Sequence, residues 1–216
     1  MFVVIDWVDA SWKTTQLNLL KDYFNKADYT YETFDFPQYD LPSSFFVKEY
    51  LNWNFKNVTS QQASLFYALD RYYSKEKLLK AIQEKDFVLS NRYTTSNIIH
   101  QATKAKTDIE TTQIIKFIEE IEYDVLWLPK PDKVIFLDMH IDIAWKLLLD
   151  RWGGKGRDIH ENDYNYLKNS YEKSLKLANK LGWEIVKCYE GKEPLSKEEI
   201  NQRILNIIFS DGFKNK

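Results

Sequence analysis

Short apolar runs alternate with long helical patterns along this chain. The runs are rich in β-branched or aromatic residues and lie at 2–5, 29–34, 87–89, 133–137 and 184–188. Apolar residues recur with helical spacing at 14–25, 45–52, 60–84, 109–123, 141–151, 163–181 and 197–209. Strands that are buried on both faces and separated by helices predict a three-layer α/β/α fold around a parallel sheet.

Ligands of such sheets bind beyond the carboxyl ends of the strands, and the first strand leads into an informative loop. The segment "VVIDWVDASWKTTQ" has the strand, loop, Lys-Thr and helix order of a Walker A motif, G-x-x-x-x-G-K-[ST]. Lys13 and Thr14 match the residues that bind phosphate oxygens and magnesium, whereas Trp7 and Trp12 occupy both glycine positions. Glycine allows positive φ and close approach of phosphate, so Trp12 is expected to strain the loop and fill the phosphate site.

Composition restricts the class of protein. A length of 216 residues fits one domain with a mobile lid, and a net charge of -2 gives no basic surface for duplex nucleic acid. The single cysteine, Cys188, excludes an internal disulfide and is expected to be a small buried hydrophobe. No basic leader and no run of membrane-spanning length occurs. These features predict a soluble cytoplasmic protein that acts on neither membrane nor nucleic acid.

Further motifs follow along nearly the whole chain: "FPQY", "YLNWNF", "QASLFYALDR", "NRYTTSN", "LWLPKPDKVIFLD" and "DIHE". With the first loop, they make the sequence resemble thymidylate kinase, the nucleoside monophosphate kinase that transfers the γ-phosphoryl group of ATP to dTMP. The resemblance implies a P-loop NTPase fold, with a five-stranded parallel sheet and a short lid near 151–161 in a single domain spanning 1–216. It also implies dTDP formation for DNA replication, ATP as co-substrate, Mg²⁺ and a homodimer.

The resemblance assigns residues to ATP, to magnesium and to phosphoryl transfer. The ATP-binding residues implied are Trp7, Asp9, Ala10, Ser11, Trp12, Lys13, Thr14, Thr15 and Arg151. The catalytic cations implied are Lys13, Arg92 and the lid residues Lys155 and Arg157, because phosphoryl transfer depends on positioning and positive charge. Thr14, Asp9 and Asn91 are the candidates for the magnesium site.

For the acceptor nucleotide, the resemblance places Asp9 at the sugar 3'-hydroxyl, Tyr67 against thymine, Arg71 at an exocyclic oxygen of the base and Arg92 at the phosphate. The remaining residues implied at this site are Phe36, Gln38, Tyr39, Ser96, Asn97, His100 and Gln101. An aromatic face and a few placed donors are the means by which proteins hold a flat base. Core packing is expected for Phe66 and for Tyr72 or Tyr73.

Two polar residues depart from the pattern of the family. Asn91 stands where a carboxylate usually precedes the arginine, and Gln38 stands where an arginine often lies. The second change is expected to leave Arg92 with more of the acceptor phosphate to hold.

The tryptophans form a third departure. The chain has seven tryptophans and six glycines, where average usage predicts roughly 15 glycines. Trp7, Trp12, Trp53 and Trp127 stand at glycine positions of the resemblance, and Trp152 stands where small residues are common. We hypothesise a single cause: UGA codons that the organism reads as glycine and that were translated here as tryptophan.

Two other functions remain open from the residues alone. A deoxynucleoside kinase would share the loop and the lid but would phosphorylate thymidine rather than dTMP. A non-catalytic nucleotide-binding relic would retain the monophosphate pocket without binding ATP, if Trp7 and Trp12 are genuine.

Overall fold

The fold contains a five-stranded parallel sheet. Its strands are β1 (Phe2–Trp7), β2 (Tyr31–Asp35), β3 (Phe87–Asn91), β4 (Lys133–Asp138) and β5 (Glu184–Lys187), in the spatial order β2-β3-β1-β4-β5. The computed structural model describes residues 1–7, 13–151 and 164–210, apart from the side chains of Trp7, Lys13, Arg151 and Tyr166. In this part of the chain no helix is long and apolar enough to cross a membrane. The predicted α/β fold with a five-stranded parallel sheet is confirmed.

The chain divides into two compact units, and the first comprises Met1–Val4 and Thr30–Asp132. It contains the start of β1 (Phe2–Trp7), then β2 (Tyr31–Asp35), α2 (Phe45–Leu51), α3 (Ser60–Tyr73), α4 (Lys75–Glu84), β3 (Phe87–Asn91), α5 (Thr94–Ala102) and α6 (Asp108–Glu119). A 3₁₀ helix at Pro42–Ser44 precedes α2, and a π-helix at Glu120–Val125 follows α6.

Four aromatic rings contribute to the core of this first unit. Phe2 and Tyr93 meet edge to face with ring centroids 5.1 Å apart, and Phe34 stacks on Phe36 at 6.1 Å. All four side chains are buried, together with Val4, Leu78, Ala81, Val88 and Leu128. This packing anchors the ends of β2 and β3, the strands that several of the predicted acceptor residues follow.

The second unit comprises Ile5–Tyr29 and Lys133–Lys216. Its described elements are the end of β1, α1 (Lys13–Lys26), β4 (Lys133–Asp138), α7 (Ile141–Arg151), α8 (Tyr164–Lys180), β5 (Glu184–Lys187), β6 (Tyr189–Glu190), β7 (Glu193–Pro194) and α9 (Lys197–Ile208). Buried hydrogen bonds from Asn201 to the backbone and side-chain oxygens of Gln16 join α9 to α1.

The structure corrects several expectations about individual elements. The helix expected over 60–84 is two helices, because Ser74 leaves the helical region (φ -93°, ψ 3°) and ends α3. The segment expected to be helical over 109–123 passes from α6 into the π-helix. Tyr72 and Tyr73 are both exposed, so the expected core packing of one of them is wrong. Helix α5 was not predicted.

Candidate functional site

Helix α3 presents two of the predicted acceptor residues on one face. Its start is fixed by a capping box, in which Thr59 accepts from the Gln62 amide and Gln62 accepts from the Thr59 amide. Tyr67 and Arg71 are four residues apart, so helical geometry places them on the same side. The motif spacing therefore produces the predicted juxtaposition by local structure alone.

Arg71 is held in a buried bidentate ion pair with Glu122. Its Nε and Nη2 atoms donate to the two carboxylate oxygens at 2.6 and 2.5 Å, and the side chains are only 3% and 1% exposed. Burial by itself lowers the pKa of Arg71, but the Glu122 carboxylate outweighs this effect and holds the pKa above its ordinary value. The guanidinium is thus charged, fixed in direction and left with Nη1 for another acceptor.

Glu122 also holds Asn97 and Thr94. The Asn97 side-chain nitrogen donates to Glu122 Oε1 at 2.8 Å and to the Ser64 carbonyl at 3.0 Å. Thr94 Oγ1 donates to the other carboxylate oxygen at 2.7 Å. With its nitrogen fixed in this way, the Asn97 amide oxygen is buried and accepts no hydrogen bond from the described residues. A buried acceptor of this kind is costly unless a ligand supplies the donor.

Arg92 follows β3 in a strained conformation. Its φ of 66° lies in the left-handed region, which non-glycine residues adopt rarely and often at functional sites. The Ser90 hydroxyl donates to the Arg92 carbonyl at 2.6 Å, and Arg92 Nη1 lies 2.7 Å from His100 Nε2. Since guanidinium can only donate, this His100 nitrogen is the acceptor.

Tyr67 lies within the electrostatic influence of both arginines. Burial, reinforced by Tyr39 and Tyr50, raises the pKa of Tyr67 far above its ordinary value, while Arg92 and Arg71 act in the opposite direction. Tyr50 meets the Tyr67 ring edge to face at 6.4 Å. The hydroxyl therefore remains neutral, and Tyr67 offers an uncharged aromatic ring within the electrostatic influence of two cations.

The loop after β2 is fixed by Asp70, a residue that sequence reasoning missed. The buried Asp70 carboxylate accepts from the Gln38 backbone amide at 2.8 Å and from Ser43 Oγ at 2.7 Å. The Gln38 side-chain oxygen accepts from Ser74 at 2.5 Å, and the exposed Tyr39 has its carbonyl bound by Lys48. Gln38 thus has its amide oxygen engaged and only its amide nitrogen to offer a ligand.

The other predicted acceptor residues differ in environment. Phe36 is packed in the aromatic core, and Ser96 and Gln101 are buried on α5. The Gln101 side-chain oxygen accepts from Lys104 at 3.0 Å. Hydrogen bonds join Arg71 to Asn97 through Glu122 and Arg92 to His100, and both arginines influence Tyr67 electrostatically. Phe36 packs instead against Phe34 and Tyr93 in the core.

The ATP-side predictions are only partly described. Thr14 and Thr15 lie in the first turn of α1, with Thr14 exposed. Asn91 donates to Asp35 Oδ1 at 2.6 Å across the paired ends of β2 and β3. The residues Asp9, Ala10, Ser11, Trp12, Trp152, Lys155 and Arg157, and the side chains of Trp7, Lys13 and Arg151, lie outside the described part of the structure.

Glu122 also escaped the sequence analysis. It belongs to no phosphate-binding or nucleotide-binding motif, and its position looked like the end of an ordinary helix. The available signal was the acidic run "EEIEYD", in which one carboxylate falls on the apolar side of the helical pattern. A buried charge requires a partner, but only the fold identifies it as Arg71.

Three features define a class of protein. These are a parallel sheet, the sequence Lys13-Thr14 at the start of the helix that follows its first strand, and a cluster of arginines, an aromatic ring and a buried amide. That class is the P-loop nucleoside monophosphate kinases.

Comparison with known proteins narrows the class to a family. The family model described as thymidylate kinase matches residues 5–200. A protein of Methanocaldococcus jannaschii named "Probable thymidylate kinase" is 29% identical over 96% of this chain and 95% of its own length. Thymidylate kinase of Mycobacterium tuberculosis is 25% identical over 84% of this chain and 82% of its own.

A solved structure of thymidylate kinase from Candida albicans has the same fold, with a TM-score of 0.68 at 21% identity, over 97% of this chain and 91% of that one. The chain belongs to the thymidylate kinase family. It is a phosphotransferase whose family activity is the phosphorylation of dTMP with ATP, and neither alternative function is favoured by these relationships.

Proposed function

We propose that Tyr67, Arg71, Arg92, Asn97 and His100, on α3, on α5 and after β3, bind dTMP. They form hydrogen bonds to its base and an ion pair with its phosphate. The observation that carries this proposal is the buried Asn97 oxygen, which accepts no hydrogen bond from the described residues while its nitrogen is fixed twice. Thymine offers N3–H as a donor and O4 as an acceptor. Asn97 Oδ1 accepts from N3–H, and Arg71 Nη1 donates to O4.

The same two contacts disfavour cytosine. Cytosine has an acceptor at N3 and an amino donor on C4. Asn97 Oδ1 would therefore face an acceptor, and Arg71 Nη1 would face a donor. A site with buried polar groups rejects such a ligand strongly, because those groups are left unpaired. Uracil shares the thymine edge, so these residues separate dTMP from dCMP but not from dUMP.

Arg92 binds the acceptor phosphate, and the Tyr67 ring stacks on the base. A guanidinium binds two phosphate oxygens at once, and the His100 contact fixes its direction. Of the remaining predicted residues, Ser96, Gln101, Gln38, Tyr39 and Asp9 supply contacts to the sugar and the rim of the site. An acceptor phosphate oxygen attacks the γ-phosphorus of ATP, and the bond to the β,γ-bridging oxygen breaks to release ADP.

For ATP, we propose the Walker A loop, with Lys13 and the lid cations Arg151, Lys155 and Arg157 surrounding the transferred group. Magnesium, when bound, neutralises the β- and γ-phosphate oxygens. Thr14 offers a hydroxyl and Asn91 a buried amide oxygen that accepts no hydrogen bond from the described residues, and oxygen ligands of this kind suit Mg²⁺. Use of ATP and a single buried cysteine fit a cytoplasmic location.

We also propose that the chain is a homodimer through α2 and α3. These helices expose Phe45, Phe46, Leu65, Leu69, Tyr72 and Tyr73, an apolar area of the kind that proteins usually cover with a partner. A second copy of the chain fits the family expectation. Sedimentation equilibrium measures the mass in solution, and Leu69→Glu is expected to give the monomer.

The glycine hypothesis also has support from the backbone. Trp53 and Trp127 have φ of 60° and 50°, and their side chains are 70% and 71% exposed. Bulky side chains rarely adopt this left-handed region, whereas glycine adopts it freely. We therefore propose that these two positions, together with Trp7, Trp12 and Trp152, are glycine in the native enzyme.

The test of the proposed function uses two versions of the chain, as given and with Trp7→Gly and Trp12→Gly together. ADP production is measured with dTMP, with thymidine and without acceptor. We expect the glycine version to turn over dTMP but not thymidine, and the tryptophan version to bind dTMP with little turnover. Turnover of thymidine instead of dTMP would refute the assignment.

A further inference from the structure

Four hydrogen bonds converge on the carboxylate of Glu122. Oε1 accepts from Arg71 Nη2 and Asn97 Nδ2, and Oε2 accepts from Arg71 Nε and Thr94 Oγ1. Each carboxylate oxygen therefore accepts two hydrogen bonds. The side chain lies in the π-helix after α6, whereas its partners lie on α3 and α5. One group thus joins three helical segments at a point where a charge without partners would be strongly disfavoured.

This arrangement determines which atoms of Asn97 and Arg71 remain available to form hydrogen bonds with a base. A carboxylate can only accept, so it binds the nitrogen of Asn97 and leaves the buried amide oxygen as the group that accepts no hydrogen bond from the described residues. The same carboxylate engages one edge of the Arg71 guanidinium and leaves Nη1 free to donate. The Ser64 carbonyl supports the same orientation of Asn97, but it does not contact Arg71.

We propose that Glu122 is a positioning residue that sets the preference of this enzyme for a thymine-type base edge over a cytosine-type edge. It touches no nucleotide and acts through Asn97 and Arg71. The inference rests on the proposed function, because it makes Glu122 the residue that determines which hydrogen-bonding atoms Asn97 and Arg71 present to dTMP.

Glu122→Gln is the direct test, because it retains the shape of the side chain and replaces one acceptor oxygen with a donor nitrogen. In either orientation that nitrogen faces a donor of Arg71. When it takes the Oε1 position it also faces the Asn97 nitrogen, so Asn97 loses its second anchor and can turn its own nitrogen toward the base. We expect the dTMP-to-dCMP affinity ratio to fall by about tenfold or more, since one buried hydrogen bond to the base changes from matched to mismatched.

Calorimetric titration of the full chain with dTMP and with dCMP gives this ratio in the absence of ATP, so the identity of residues 7 and 12 does not enter. Glu120→Gln is the matched control: it removes the same charge from an exposed position in the same π-helix and is expected to leave the ratio unchanged. Circular dichroism melting confirms that each variant is folded.

Should Glu122→Gln fail to fold, Glu122→Asp replaces it. This variant retains a charge for Arg71, but its side chain is one methylene shorter and cannot keep all four contacts. The same loss of preference is expected. A folded variant that binds both nucleotides more weakly by the same factor would overturn the proposal, because that is the result of a purely structural role. Wild-type protein that binds neither nucleotide would instead refute the proposed function itself.

Discussion

Arg92 Nη1 lies 2.7 Å from Nε2 of His100, a residue nearly two turns into the helix that begins just after Arg92. Because Arg92 can only donate, His100 serves as its acceptor and directs the guanidinium. We expect His100→Leu to weaken dTMP binding by about tenfold and to leave thymidine binding unchanged, since thymidine has no phosphate for Arg92 to hold. Titration with both ligands measures the difference. His100→Gln retains an acceptor and is expected to restore much of the affinity.

The phosphate-binding role that we propose for Arg92 would distinguish a monophosphate kinase from a nucleoside kinase. Removing its charge with Arg92→Met is expected to lower dTMP affinity by about 10- to 100-fold, the effect of hydrogen bonds between charged groups. Thymidine affinity should be unaffected. Equal losses for the two ligands in calorimetric titration would show that Arg92 supports the fold of the site rather than the phosphate.

The Arg71–Glu122 pair predicts strongly non-additive effects on stability. Arg71→Met leaves a buried carboxylate without its main partner, and we expect a loss of about 3–5 kcal/mol in the free energy of unfolding. Adding Glu122→Leu removes the stranded charge and should recover most of that loss. Urea denaturation of the two single variants and the double variant measures the coupling. Additive effects would show that the pair contributes little.

Trp53 and Trp127 should be more stable as glycine than as tryptophan. A left-handed conformation costs a bulky residue about 1–3 kcal/mol, which exceeds the roughly 0.5–1 kcal/mol entropic cost of glycine. We expect Trp53→Gly to stabilise the chain by about 1 kcal/mol. The gain at Trp127 should be smaller, because its ring contacts Lys75 Nζ at 5.4 Å.

Trp145→Gly is the control for these glycine variants. Trp145 lies within α7 and packs edge to face on Tyr164 at 5.7 Å, so glycine there removes both packing and helix propensity. It should destabilise the chain by several kcal/mol. A loss of similar size for Trp53→Gly would contradict the assignment of residue 53 as a glycine position.

Cys188 should be unreactive in the folded chain. Burial raises the pKa of its thiol to about 12, so almost no thiolate forms at pH 8, and the side chain is inaccessible. Alkylation is expected to proceed only as fast as the chain opens, and to become rapid in urea. Fast alkylation of the native chain would contradict this prediction.

The raised pKa of the Cys188 thiol also predicts that stability falls as pH rises above about 9, because the thiol of the unfolded chain ionises first. Cys188→Ala should remove this contribution to the pH dependence of stability.

The positions of several candidate site residues follow from local geometry, which is why motif spacing could predict them. Tyr67 and Arg71 share a helix face by their spacing, and Arg92 follows a strand directly. The break at Ser74 and the helix α5 were missed, since neither has a strong apolar period or a proline or glycine to mark it.

By itself, the sequence determined the α/β architecture and the family resemblance, because these follow from apolar periodicity and from motif spacing, and it identified the candidate acceptor residues. Only the tertiary structure decided which groups hold those residues in place. Glu122 meets Arg71 across 51 residues, and Asp70 meets Gln38 across 32. Such partners are chosen by packing, since a buried charge must find its counterpart wherever the fold brings one within hydrogen-bonding distance.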